Sequence, residues 1–366
     1  MPEPVEKILK KKTLQKDEII TLLKLRPPDN SILLTKALDV KTKTIGRKVY
    51  FRGLIEFSNR CSKNCYYCGI RSHNTRYRRY QLTDQEVIKA AQYAYTNHFA
   101  SLIIQSGENS SQKFISTIER LLREISQLTN RALHITLSLG EQTEESYQRW
   151  YEAGAHRYLL RIETSNPGLY KKLHPANKMH DYTQRLEALK TLRKVGYQVG
   201  TGVMIGLPFQ TIEDLADDLL FFREIDIDMI GMGPYIEHEE TPLFQYRNQL
   251  LSLQERFEIS LNMVAVLRIM MRNINIAATT AMQTIDPHGH ERALLAGANV
   301  MMPNLTPIKY KQSYLLYNDK PGLADDAEES KELMGESIRL AGDTIGYGEW
   351  GDSKHYAIRT GARRRS

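Results

Sequence analysis

The sequence predicts an α/β fold, a parallel (β/α)8 barrel of the TIM type with an N-terminal helical extension and a C-terminal helix and tail. Three observations carry that prediction. Short apolar runs alternate with stretches of helical period, those runs number eight, and 366 residues are enough for one barrel plus extensions. The expected boundaries are 1–48 for the extension, 49–320 for the barrel and 321–366 for the helix and tail.

The elements follow in order. Up to about Leu25 the chain reads as an exposed helix with Ile19, Leu22, Leu23 and Leu25 on its apolar side, ended by Arg26-Pro27-Pro28-Asp29. A second helical stretch leads to Val49. The first strand, Val49–Phe57, runs straight into the cysteines. Thr83-Asp84-Gln85-Glu86 has capping-box form and opens a helix with Val87, Ala90, Ala91 and Ala94 on one face. Strand Ser101–Ser106, a helix around Phe114–Ile125, strand Leu133–Leu139, a helix near Glu144–Ala153 and strand Arg157–Glu163 complete the first half. Helix Tyr182–Val195 then precedes strand Gln198–Gly206. Thr211 caps a helix with Ile212, Leu215, Leu219 and Phe222 at helical spacing. Short strands Met229–Gly233, Ile274–Ala278 and Asn299–Pro303 close the set, with helix Leu253–Met271 between the first two.

Charge and composition exclude some classes. The formal charge is +7, but the basic residues are dispersed apart from Lys10–Lys12 and Arg363–Arg365, which read as solvated ends. Arg76–Tyr80 interleaves Arg and Tyr as RNA-binding segments do, yet its closeness to the cysteines favours a structural or active-site role; nucleic acid is not the expected partner. No run of eighteen apolar residues predicts a membrane span, and the first residues lack a signal-peptide core, so a cytoplasmic location is the expectation.

All three cysteines fall within eight residues, as Cys61-Ser62-Lys63-Asn64-Cys65-Tyr66-Tyr67-Cys68. An odd, tight group argues against a disulfide framework. Thiolates are the soft ligands that iron–sulfur clusters take, and three of them on a cubane leave one iron open to another ligand. A zinc site would need a fourth ligand, for which His73 is the nearest candidate. Inward charge on a barrel strand also needs a reason. Arg157, Leu159, Arg161 and Glu163 share one strand face, so Arg161 and Glu163 either pair with each other or bind a ligand. Thr136 and Ser138 face one way on the preceding strand, and Thr279 and Thr280 offer hydroxyls after the seventh.

The CxxxCxxC spacing after a first barrel strand, with aromatic Tyr67 before the last cysteine, resembles the radical S-adenosylmethionine (SAM) superfamily. That resemblance implies a 4Fe–4S cluster on Cys61, Cys65 and Cys68, with SAM on the fourth iron and its reductive cleavage to methionine and a 5′-deoxyadenosyl radical. It also implies that the stretch Gln105-Ser106-Gly107-Glu108 receives the SAM amino group. The words EFSNRCSKNCYYCGIR, TLSLGE, RYLLRIETSNPGLYKKLHP, GVMIGLPFQTIEDL, AATTAMQTI and GANVMMPNLTP further resemble its FeFe-hydrogenase maturase branch, HydE, from about Tyr50 to Tyr317. This closer resemblance implies Tyr67, Gln105, Ser106, Ser138, Glu163 and Arg185 around SAM, and Thr136, Arg161, Thr279, Thr280 and Tyr310 near the substrate. The implied substrate is a cysteine-bound iron carbonyl–cyanide complex made by HydG, attacked at sulfur, with HydF or another maturase as acceptor. Some relatives carry further C-terminal cysteines for an auxiliary cluster, which this chain lacks. The rival expectations are a mutase like methylornithine synthase and an iron–sulfur or zinc module that binds RNA.

Overall fold

The computed structural model describes residues 3–361, so the basic cluster Arg363–Arg365 lies outside the described residues. The strands are β1 (Lys48–Phe51), β2 (Gly53–Ser58), β3 (Ser101–Ser106), β4 (His134–Ser138), β5 (Ala155–Leu159), β6 (Gln198–Thr201), β7 (Met204–Ile205), β8 (Met229–Ile230), β9 (Gly233–Pro234), β10 (Asn275–Ile276), β11 (Val300–Met301) and β12 (Thr344–Ile345). One parallel sheet runs β10-β8-β6-β5-β4-β3-β2. β11 closes it. Asn299 N–H donates to Ile276 O at 2.8 Å and Ala278 N–H to Val300 O at 2.9 Å on one side. On the other, Tyr50 N–H donates to Asn299 O and Leu54 N–H to Pro303 O, at 3.0 and 2.7 Å. With β1 and β2 as one line broken at Arg52, the result is the expected eight-stranded parallel barrel, and β7 paired with β9 prolongs its C-terminal rim.

Local chemistry sets the helices where the sequence places them. Thr83, Thr211 and Ser252 each form a full capping box at the start of helices Asp84–Thr96, Ile212–Glu224 and Leu253–Met270. The N-terminal helix, Lys16–Leu23, differs from expectation. Ile19, Leu22 and Leu23 are fully buried, because the helix packs on Ile212–Glu224. Helix Ser31–Thr44 likewise packs on Leu253–Met270, so the N-terminal helices add to the barrel wall.

The N-terminal mouth is filled from the far end of the chain. Asp352 pairs with the fully buried Arg157 and accepts from Gln198 Nε2 at 2.8 Å, while Asn275 Nδ2 donates to Gly351 O at 2.8 Å. Trp350 stacks on His134 with ring centres 3.7 Å apart. Residues 350–353 thus plug the bottom of the barrel, and β12 beside β1 guides them there.

Candidate active site

The cysteines leave the barrel at the C-terminal end of β2, where functional groups of such barrels gather. Their loop is tied down densely. Arg79 donates four hydrogen bonds, to the carbonyls of Asn59, Ile70, Arg71 and Asn74, at 2.6–2.7 Å. The Arg–Tyr run Arg76–Tyr80 is therefore a brace: Tyr77 meets His238, and Tyr80 donates to Glu56 O. Two glycines let neighbours approach. A Cβ at Gly69 would stand 2.1 Å from Leu315 O, and one at Gly107 would stand 2.7 Å from Cys61 Cβ.

The thiols fit a cluster in chemistry. Cys65 and Cys68 lie in one another's field and in that of Cys61, so the three are close together. Burial pushes the Cys65 thiol up to about 12 and raises the other two. A strong positive centre is what would deprotonate such thiols. Cys61 Sγ accepts the Glu108 N–H at 3.3 Å and Cys68 that of Ile70, the contacts that steady sulfur ligands of iron. Among the described residues no three His, Cys, Asp or Glu side chains are arranged to hold a single metal ion. His73, the candidate fourth zinc ligand, is exposed and lies against Asn64.

The remaining predicted residues divide into those at the mouth and those away from it. Tyr67 is half-buried beside Cys65, with Arg185 and Glu163 both in reach of its charge. Arg185, in the first turn of helix Tyr182–Val195, pairs with Glu141 at 2.7 Å and also faces Glu108. Gln105 pairs in register with Ser138 on one side and Glu56 on the other, and its amide meets Tyr314. Ser106 spends its hydroxyl on Gly107 O, at 2.7 Å. Glu163 has a φ of +67°, a left-handed conformation costly for a residue with a side chain and typical of functional sites. Strand β5 ends at Leu159, short of the Arg157–Glu163 expected, and Glu163 rejoins the barrel only as an isolated parallel bridge to Val203. Arg161 and Glu163 pair at 3.0 Å, and Arg161 also donates to Val203 O. The internal salt bridge is thus present, at the cavity end of the strand.

Thr136 shares its strand face with His134, which stacks on the plug, so its side chain points into the barrel. Its Oγ1 is buried without a hydrogen-bond partner, an arrangement that costs about 1–3 kcal/mol and invites a ligand. Thr279 donates to Met232 O at 3.3 Å, and Thr280 opens helix Thr280–Ile285. Tyr310 already has partners. It stacks on Tyr80, and its hydroxyl is spent on Glu86, 3.2 Å away at the start of helix Asp84–Thr96. The tyrosine of that segment near Arg161 is Tyr317, which bonds Thr284.

Sequence reasoning missed Lys63, Glu141 and Tyr317, and the partners of Glu108. Glu108 faces Lys63 at 3.2 Å and accepts the Glu141 N–H at 2.9 Å, so its carboxylate is already engaged beside the cluster loop. Lys63 lies between two cysteines, a position from which its partnership with Glu108 and Glu141 was the only legible hint.

Residues 55–222 match the family model for the radical SAM superfamily, and fold and cysteine loop make the protein an enzyme of that class. At 42% identity over 325 residues, covering 89% of both chains, it is similar to the FeFe-hydrogenase maturase subunit HydE of Thermotoga maritima, and it belongs to the HydE family. Biotin synthase of Persephonella marina is 29% identical over 65% of this chain and 70% of its own. The crystal structure of methylornithine synthase superposes with a TM-score of 0.76 at 22% identity, over 94% of this chain and 97% of that one. The maturase HydG from Carboxydothermus hydrogenoformans gives 0.76 at 17%, over 94% and 79%. Both likenesses concern the fold. Membership of the superfamily implies a 4Fe–4S cluster and SAM.

Proposed function

We propose that the protein is a radical SAM maturase that acts in assembly of the FeFe-hydrogenase H-cluster. The observation that carries this reading is the three-thiol loop, braced by Arg79 at the mouth of a closed barrel with Cys65 buried and its partners half-buried, in a chain so similar to HydE. When bound, the cluster and SAM supply a 5′-deoxyadenosyl radical by one-electron cleavage of a C–S bond.

The chain's own residues have the remaining tasks. Cys61, Cys65 and Cys68 hold the cluster and leave one iron open. Tyr67, Gln105, Ser106, Ser138, Glu163 and Arg185 surround SAM; Ser106 acts through its backbone, since its hydroxyl is engaged. Arg161, Thr136, Thr279 and Thr280 face the substrate, a cysteine-bound iron carbonyl–cyanide complex delivered by HydG. Arg161 supplies positive charge for the cyanide-bearing anion, and the unbonded Thr136 hydroxyl supplies a hydrogen bond. The bottom plug excludes water from below, which protects a radical held within the barrel. The product passes to HydF or another maturase.

The test is anaerobic. The chain is reconstituted with iron and sulfide, and 5′-deoxyadenosine is assayed with SAM and dithionite, with and without a synthetic cysteine-bound iron carbonyl–cyanide complex; Cys65→Ala is the control. Cleavage above the control that rises with the complex, together with conversion of the complex, supports the reading. Cleavage indifferent to the complex but stimulated by lysine would replace it with a mutase, and no iron uptake would sink it.

A further inference from the structure

A second segment clamps the cysteine loop. His174 and His180 bracket the stretch that follows helix Pro167–Leu173, and each turns one nitrogen toward the loop. His180 Nδ1 lies 2.7 Å from Asn177 Oδ1, an atom that only accepts, so Nδ1 carries the proton and Nε2 is bare. That bare Nε2 takes the Asn64 N–H at 3.0 Å. His174 repeats the arrangement: its Nδ1 donates to Tyr170 O at 2.8 Å, and its Nε2 lies 3.3 Å from the Tyr67 hydroxyl. Burial pushes the two imidazoles down to about 3 and about 4, with Arg185 and Lys63 adding to the effect, so both rings are neutral at pH 7.

Tyr67 has one hydroxyl proton and two acceptors that want it. Its oxygen lies near enough to influence the Cys65 thiol, while the hydrogen bond it makes is to His174. A bare imidazole nitrogen offers only a lone pair, so Tyr67 must donate to it, and the proton is then directed away from the sulfur. The ring is fixed for this purpose: Tyr170 stacks on His174 with centres 4.0 Å apart, and Tyr67 meets it edge-on at 5.4 Å. Hydrogen bonds to cluster sulfurs favour the more negative, reduced state and raise the potential. Withholding one keeps the cluster a strong reductant, which SAM cleavage needs.

We propose that His174 is a positioning residue that holds the Tyr67 proton off Cys65 and thereby lowers the reduction potential of the cluster on the cysteine loop. The inference rests on the proposed three-cysteine cluster but not on the substrate assigned above.

The experiment is a redox titration of the reconstituted full-length chain, followed by electron paramagnetic resonance without SAM. Iron content is measured first; a wild-type chain that takes up no iron sinks the cluster reading itself. In His174→Phe the stack survives and the acceptor is lost, so Tyr67 turns to Cys65. The reduced fraction at fixed poise rises about tenfold, or about 59 mV for one electron. His174→Gln keeps an acceptor and stays near wild type. Tyr67→Phe alone leaves the potential in place, and added to His174→Phe it cancels the rise. A fall in potential in Tyr67→Phe alone would mean that Tyr67 already donates to Cys65, and that overturns the inference. So does an unchanged potential in iron-replete His174→Phe. Should His174→Phe take up no iron, Tyr67→Phe and His174→Gln decide by the same criteria.

Discussion

At the scale of single residues, the site is marked by side chains that the fold leaves dissatisfied. Thr136 is the clearest: a hydroxyl buried in the barrel, with no partner and no route to water. In a structural role it is a liability, and Thr136→Val, which keeps the shape, should stabilise the chain by about 1 kcal/mol. If the hydroxyl serves the substrate, the same change slows substrate-dependent SAM cleavage about tenfold. Thermal unfolding and 5′-deoxyadenosine formation measured on one preparation separate the two effects; a variant both less stable and fully active would refute the assignment. Sequence reading reached Thr136 through strand alternation and the HydE resemblance. At Tyr310 it could not foresee the bond to Glu86, because a resemblance gives the position of a residue and not where its hydroxyl is spent. The Ser106 hydroxyl was equally illegible: a short side chain beside a glycine bonds its own turn.

Whole elements are legible where their signal is local and obscure where it is tertiary. Capping boxes at Thr83 and Thr211 and the helix Tyr182–Val195 stood in the sequence, because a cap and a 3.6-residue period are short-range facts. The end of β5 did not: Ile162 N–H bonds the Thr201 hydroxyl in place of a carbonyl, and the residues that follow lean on neighbouring elements. One neighbour is helix Ile212–Glu224, whose Asp218 accepts both the backbone N–H and the hydroxyl of Ser165 at 2.6 Å. Burial pushes Asp218 up to about 7 against those two bonds. The sign follows: its unfolded carboxyl titrates near 4, so between about pH 4 and 7 the native state binds the extra proton and stability falls as pH rises. Asp218→Asn keeps an acceptor for Ser165 and cannot ionise. Its thermal midpoint should gain on wild type between pH 5 and 8; parallel profiles would show that the carboxyl carries no such penalty. The strap after β11 offers a second test. Lys320, nearly buried, pairs with Glu56 on the inner face of β2. Lys320→Met or Glu56→Gln alone should cost about 3 kcal/mol, and the double variant less than the sum, because each single change strands a buried polar or charged partner. Additive losses in denaturant unfolding would deny the pairing.

Across the whole molecule, a barrel sealed at its N-terminal end confines the chemistry to the other. The seal comes from residues almost two hundred positions away from the strand they satisfy. Arg157 sits at the bottom of β5, fully buried, with Asp352, Trp350 O and Ser101 as its partners. The sequence showed Arg157 on the inward face but offered no sign of its anchor, since a Gly-rich tail has no period to read. Arg157 and His134 hold the Asp352 carboxyl well below the usual carboxylate range. A depressed carboxyl contributes stability above its unfolded value, near 4, and loses it only as pH falls through its lower folded value. Asp352→Asn should therefore cost about 3–5 kcal/mol at pH 7, because it leaves Arg157 charged and uncompensated. The difference from wild type should narrow below pH 4. Arg157→Met with Asp352→Asn should recover part of the loss, since no buried charge is then left alone. If the plug also keeps water from the radical, its loosening has a chemical consequence that stability does not predict. In Asp352→Asn, at a temperature where it remains folded, 5′-deoxyadenosine should accumulate faster than the substrate complex is converted. Tight coupling between the two in a variant whose plug residues exchange amide hydrogens freely would show that the plug does not protect the radical.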